Sequence, residues 1–297
     1  MVAKYYTTRR KKDKPSGEVI FRIGVITDTH LRAGVDGNPT APGAISGNRI
    51  HYAANSKVRD FVNKVAEMSA DLDFAVHLGD ACDHPSDWPF FKAEWAEVEL
   101  PKVFVVGNHD VDDLGYEQLL KEVGYEDNVE YGGSKFNQYY DFDGVRIIFL
   151  DSQYDENGEH TTNSRSRIMP AGVSWLGSML LSTSGHALVF SHNIPHYRAY
   201  PGPANPYFPN DVAADIQSVI SSALATNSNL KSVNWFGGHA HTPNVVKYNN
   251  LGRCTGYRLC DSIERWDDNE NSVKGMSVLE LYSNGVMNIE SIELKYI

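Results

Sequence analysis

Val19–His30 reads VIFRIGVITDTH, and this stretch decides the fold. Its first nine residues, Val19–Thr27, form a dense run of β-branched and apolar side chains. That is the pattern of a strand buried on both faces. The run stops at Asp28-Thr29-His30, where two residue types able to bind a cation follow directly on the strand. The same arrangement recurs downstream. Phe74–Leu78 ends in Gly79-Asp80, and Val103–Val106 ends in Gly107-Asn108-His109-Asp110. Leu188–Ser191 ends at His192, and Val233–Phe236 ends in Gly237-Gly238-His239-Ala240-His241.

Helical patterns separate these strands. Asn55 or Ser56 caps a segment whose apolar stripe is Val58, Phe61, Val62, Val65 and Met68. Residues 89–99, Gly115–Glu122, Ser174–Leu181 and Asp211–Leu224 also read as helices. Tyr139–Phe142 and Val145–Leu150 flank Asp143-Gly144, a strong hairpin signal. Residues 31–52, 151–169 and 193–209 read as loops. From Val245 onward the chain is mostly strand-like, with turn signals at Asn249-Asn250 and Asn284-Gly285. Strands alternating with helices, followed by mixed strands, predict an α/β chain with more than one sheet. Neither an internal repeat nor a linker is visible, so a basic, flexible tail over 1–17 and a single domain over 18–297 are expected.

Composition narrows the function classes. With 41% hydrophobic and 22% charged residues over 297 positions, the chain is an ordinary globular sequence. No apolar run reaches the roughly 18 residues of a spanning helix, so membrane insertion is not expected. Three cysteines, Cys82, Cys254 and Cys260, lie in no CxxC pair, which argues against a disulfide scaffold or a structural zinc site. No secretory signal is visible, and a reducing cytoplasm is the expected location. Residues 4–14 hold six basic side chains against Asp13 alone. That leaves +5 on this segment and −16 on the rest of a chain whose total is −11. An acidic body is a poor track for a nucleic-acid backbone.

Ligand sites of α/β sheets form beyond the carboxyl ends of strands. The strand-end residues Asp28, His30, Asp80, Asn108, His109, His192, His239 and His241 can therefore meet in one cleft. Mixed Asp, His and Asn donors suit Mn, Fe, Zn or Co better than calcium. Even with His109 set aside, seven donors are too many for one tetrahedral ion and fit two divalent ions sharing a carboxylate. Asp80 is the natural bridge, with one oxygen for each ion. Paired ions clamp a phosphoryl group and acidify water, and their net positive charge attracts phosphate.

The five blocks DTH at 28–30, GD at 79–80, GNHD at 107–110, SH at 191–192 and GHAH at 238–241 resemble those of the calcineurin-like metallophosphoesterases. The resemblance implies a four-layer sandwich of two mixed β-sheets flanked by helices. It implies one metal held by Asp28, His30, Asp80 and His241, and a second held by Asp80, Asn108, His192 and His239. His109 is similar to the family residue that contacts phosphate and helps protonate the leaving oxygen. Asp110 either orients that imidazole or serves as a helix N-cap. One departure stands out: many members place Pro two residues after the fourth-motif histidine, and here Pro195 comes three residues after His192.

The expected activity is hydrolysis of a phosphodiester or phosphomonoester of a small nucleotide-like substrate by metal-bound hydroxide. Arg49, His196, Tyr197 and Tyr200, on loops at the same edge, are the candidate substrate contacts. Two alternatives remain: a nuclease using the basic tail, or a non-catalytic protein-binding scaffold of the same fold.

Overall fold

In a computed structural model the opening run forms β1, Val19–Ile26, in the middle of a five-stranded sheet. The model describes residues 15–46, 49–162, 166–194, 210–241, 245–251, 254–259, 262, 264–265 and 275–294. After β1 come two short strands, β2 (Ile45–Ser46) and β3 (Arg49–Ile50), then α1 (Ala54–Glu67), β4 (Phe74–His77), α2 (Trp88–Ala96) and β5 (Lys102–Phe104). The middle of the chain supplies α3 (Asn108–Leu114), α4 (Tyr116–Val123), β6 (Gln138–Phe142), β7 (Val145–Phe149), α5 (Pro170–Leu181) and β8 (Gly185–Phe190). The last third holds α6 (Asn210–Thr226), β9 (Leu230–Gly237), β10 (Val246–Leu251), β11 (Cys254–Arg258), β12 (Glu264–Arg265), β13 (Gly275–Tyr282) and β14 (Met287–Glu293).

The strands form a five-stranded sheet in the order β14-β13-β1-β4-β5 and a six-stranded sheet in the order β10-β11-β9-β8-β7-β6. Both are mixed: β1 runs parallel to β4 and antiparallel to β13, and β8 runs parallel to β7 and β9 while β6 opposes β7. The side chains of β1 explain the layering. Ile23 and Val25 point into a core shared with Ile147, Phe149, Leu188, Phe190 and Phe236 of the other sheet. Ile26 points the other way, onto Phe61, Val62 and Val65 of α1. With both faces covered, a strand gains from an unbroken apolar run, which is why the period-2 alternation is missing. Helices α5 and α6 cover the outer face of the second sheet through Leu176, Leu180, Ile216 and Ile220. The result is helix, sheet, sheet, helix.

Three local readings change. The predicted helix at Gly115–Glu122 is the second of two, because α3 already begins at Asn108, and Gly115, at φ +71°, separates α3 from α4. The turn signal at Asn249-Asn250 lies inside β10, at the register shift between Tyr248 and Leu251 in its pairing with β11. The loop at 31–52 carries β2 and β3, which join β12 in a small three-stranded sheet. The Asn284-Gly285 turn does connect β13 to β14, with Gly285 at φ +82°. No helix among the described residues is long and apolar enough to cross a membrane.

Candidate metal centre

The parallel pairing of β1 with β4 does not stop where the strands do. Asp28 N–H donates to Gly79 O at 3.0 Å, His30 N–H to Asp80 O at 3.0 Å and Leu31 N–H to Ala81 O at 2.8 Å. Two motifs 52 residues apart in sequence are thus locked side by side at the carboxyl edge. Thr29, between Asp28 and His30, donates its hydroxyl proton to Ala81 O at 2.8 Å and accepts from His77 Nε2 at 3.1 Å. His77 is a buried brace. Burial holds its imidazole neutral, with the pKa pushed down to about 3.

Three groups of metal-capable side chains converge here; one is His30, Asp83 and His109, and the other two share Asp80. In the first of these two, Asp28, His30, Asp80 and His241 offer donor atoms all within 4.8 Å of one another. His30 Nε2 lies 3.0 Å from His241 Nε2 and 3.7 Å from Asp80 Oδ2, and His241 Nε2 lies 3.3 Å from Asp28 Oδ1. In the second, Asp80, His192 and His239 meet: His192 Nε2 is 3.3 Å from Asp80 Oδ2 and 3.2 Å from His239 Nδ1. Asp80 belongs to both groups, but not through one oxygen each. Its Oδ1 accepts the His109 N–H at 2.9 Å, so Oδ2 alone faces both histidine sets. Asn108 sits next to these residues with its Oδ1 buried and without a hydrogen-bond partner.

His30 and His192 are turned so that Nε2 faces inward. His30 Nδ1 donates to Asp83 Oδ1 at 2.8 Å and His192 Nδ1 donates to Leu78 O at 2.7 Å. Each outer acceptor fixes the tautomer and leaves Nε2 aimed at Asp80. Burial and the neighbouring Arg49 push the His30 pKa down to about 3, and burial with His192 does the same for His239. His192 moves the opposite way, to about 10: burial opposes its charge, but the Asp80 and Asp28 carboxylates outweigh burial. Burial also works against the charge on Asp28 and Asp80. The surrounding histidines still hold Asp28 below, and Asp80 well below, the usual carboxylate range. Such a site favours positive charge between its carboxylates.

Backbone strain concentrates at the same residues. Among the described residues, the non-glycine positions with φ in the left-handed region are Asp28, His30, Asp80, His239 and His241. That conformation costs roughly 1–2 kcal/mol per residue. All five belong to the two donor groups, and a bound cation offsets such a cost directly. The glycines in the motifs have a steric role. A Cβ on Gly107 would collide with Asp80, and one on Gly238 with Thr27 and Asp28. The orphaned Asn108 oxygen, the inward-facing ring nitrogens and the local strain together fit a divalent cation pair.

Asp110 needs a correction. Its carboxylate does not orient His109. It accepts backbone N–H groups from Asp80 at 2.9 Å, Ala81 at 2.8 Å and Gly107 at 2.8 Å. It is the third residue of α3, with Gly107 as the N-cap, so it closes the helix start and pins the Asp80 turn at once. Burial and the nearby Asp80 push its pKa up to about 7. Asp110→Ala should leave three buried N–H groups unpaired and destabilise the fold by about 3 kcal/mol or more, measured by urea unfolding. A loss under about 1 kcal/mol would remove this role.

The His109 ring instead meets Arg49, whose Nη2 donates to His109 Nε2 at 3.2 Å. Arg49 also contacts Asp83 Oδ1 at 3.4 Å, and its side chain keeps 20% of its exposure. Sequence reasoning gave Asp83 no role, yet this carboxylate ties together His30, Arg49 and His51. Its signal was position: three residues beyond Asp80, on a segment already placed at the cleft. His51 is fully buried and donates from Nδ1 to His30 O at 3.1 Å, docking the β2–β3 segment on the centre. His196, Tyr197 and Tyr200 lie outside the described residues.

A family model described as calcineurin-like phosphoesterase matches residues 21–243. No curated protein matches the chain. Among solved structures, a dimetal phosphatase from Danio rerio aligns with a TM-score of 0.65 at 16% identity, over 94% of this chain and 100% of that one. Purple acid phosphatase PPD1 from yellow lupin seeds gives 0.56 at 14% identity, over 93% of this chain and 52% of that one. A 5'-nucleotidase from Candida albicans gives 0.51 at 11% identity, over 93% and 52%. At these identities the likeness is one of fold.

Proposed function

Since the chain belongs to the calcineurin-like phosphoesterase family, we propose that it hydrolyses a phosphodiester or phosphomonoester of a small nucleotide-like substrate at a pair of divalent cations. Asp28, His30, Asp80 and His241 would hold the first cation, and Asp80, Asn108, His192 and His239 the second. One observation carries this reading: two donor groups converge on a single carboxylate oxygen, Asp80 Oδ2. Two such ions supply Lewis acidity toward phosphate oxygens and lower the pKa of water.

The protein's own side chains supply the rest. Arg49 offers a planar guanidinium beside the centre, suited to two phosphate oxygens. In this structure it rests on His109 Nε2 and Asp83, so binding phosphate would draw it off the imidazole. His109 Nε2 would then be free to take up a proton from solvent and pass it to the departing alkoxide. The His109 N–H meanwhile stays on Asp80 Oδ1, which keeps the ring at the edge of the donor groups, 4.9 Å from the His30 ring. A small substrate is favoured over a polynucleotide because the body of the chain is strongly acidic.

The test is turnover of bis-p-nitrophenyl phosphate by chelator-stripped protein before and after Mn²⁺ is restored. Metal analysis should find two equivalents, and hydrolysis should follow their return. Reloading should also raise the melting temperature, since a ligand at a hundred times its Kd stabilises the folded state by about 2.7 kcal/mol. Absence of turnover with Mn²⁺, Zn²⁺, Co²⁺ or Fe²⁺, together with fewer than two bound equivalents, would rule the proposal out.

A further inference from the structure

The turn that carries His192 is gripped from two sides. Asn193, next in the chain, is completely buried. Its Oδ1 accepts from Gln153 Nε2 at 2.8 Å, Ser166 Oγ at 3.1 Å and Ser152 Oγ at 3.3 Å. Its backbone N–H donates to Ser152 Oγ at 3.3 Å, and Ser191 Oγ donates to its carbonyl. Trp235 Nε1 donates to Ser191 Oγ at 2.8 Å, bringing β9 into the network. Ile194 is 1% exposed and lies where a side chain on Gly237 would be, so only glycine lets the turn approach β9 this closely. His192 itself is tied down by its carbonyl, which accepts the Gly238 N–H at 3.0 Å.

With three donors on its oxygen, Asn193 has no acceptor capacity left for a cation, and Ile194 has none to offer. The second donor group also needs positioning more than the first. Its anionic member is Asp80 alone, beside two imidazoles and an amide, whereas the first has both Asp28 and Asp80. A donor set with less charge depends more on geometry for its affinity. We infer that Asn193 and Ile194 are positioning residues that clamp His192 for the second cation. This rests on the two-cation reading above. The extra residue between His192 and Pro195 is therefore used: it points one side chain into the 152–166 segment and the next against β9.

The test is calorimetric titration of chelator-stripped full-length chain with MnCl₂. Wild type should take up two equivalents. Asn193→Leu keeps the bulk, removes the acceptor, and should weaken the second equivalent by about 10–100-fold while the first stays near wild type. Asn193→Asp, which keeps the acceptor, should restore most of that loss. Ser166→Ala removes one donor without orphaning another, guards against a misfolded leucine variant, and should weaken the second equivalent by a smaller factor. Melting of the metal-free variants separates site from scaffold. Equal weakening of both equivalents, or an unchanged second equivalent in folded Ser166→Ala and Asn193→Leu, overturns this inference alone. A wild-type chain binding fewer than two equivalents overturns the two-cation reading itself, and this inference with it.

Discussion

Asp80→Ala should reduce hydrolysis of bis-p-nitrophenyl phosphate to the buffer rate and strip tightly bound metal from both positions. The reason lies in one atom. Oδ2 stands 3.3 Å from His192 Nε2 and 3.7 Å from His30 Nε2, so its loss takes a donor from each group and a negative charge from between them. The second group becomes entirely neutral: Asn108, His192 and His239. The first keeps Asp28. Alanine also brings a structural penalty, because position 80 has φ +54° and the His109 N–H loses its acceptor. These cost roughly 1–2 and 1–3 kcal/mol. Asp80→Asn separates the effects. Asparagine tolerates the left-handed backbone and keeps an oxygen for His109, but it removes the charge. It should fold like wild type and still be inactive. One full equivalent of tight metal with turnover intact in either variant would disprove the bridge.

Much of this centre was legible because strand ends announce themselves. A β-branched run that stops at Asp-Thr-His needs no tertiary information to be noticed, and the five such stops are the places where the structure gathers its donors. What stayed hidden was set by contacts distant in sequence. The pairing of β3 with β12 joins two-residue strands more than two hundred positions apart, too short for any periodicity. Asp83 follows Asp80 closely enough to line the cleft, but its importance lies in having His30, His51 and Arg49 around it. Asp110 was misread for a different reason. The N-cap alternative for Asp110 does place a helix start here, but three residues too late, because α3 begins at Asn108 with Gly107 as its cap. The hydrogen bond on Asp80 was hidden likewise, since only the fold brings the His109 N–H to Oδ1.

His109→Ala should leave metal content near normal and slow hydrolysis by about 10²–10⁴-fold, the scale of a general acid. The two halves of that expectation have separate causes. Metal content should hold because residue 109 supports Asp80 through its backbone N–H, which alanine retains. Its imidazole meets Arg49 rather than the oxygen shared by the donor groups. Turnover should fall because no other described side chain near Arg49 offers a proton-carrying nitrogen in its place: His30 and His51 have their Nδ1 protons committed to Asp83 and to His30 O. Arg49 keeps its contact with Asp83, so KM should move far less than kcat. The size of the loss should depend on the leaving group. An alkoxide needs a proton as it departs, whereas p-nitrophenolate is stable without one. Steady-state rates for matched alkyl and p-nitrophenyl esters therefore decide the matter. A penalty that shrinks sharply for the p-nitrophenyl ester places the proton on His109 Nε2, and an equal penalty for both means the imidazole only orients the phosphate.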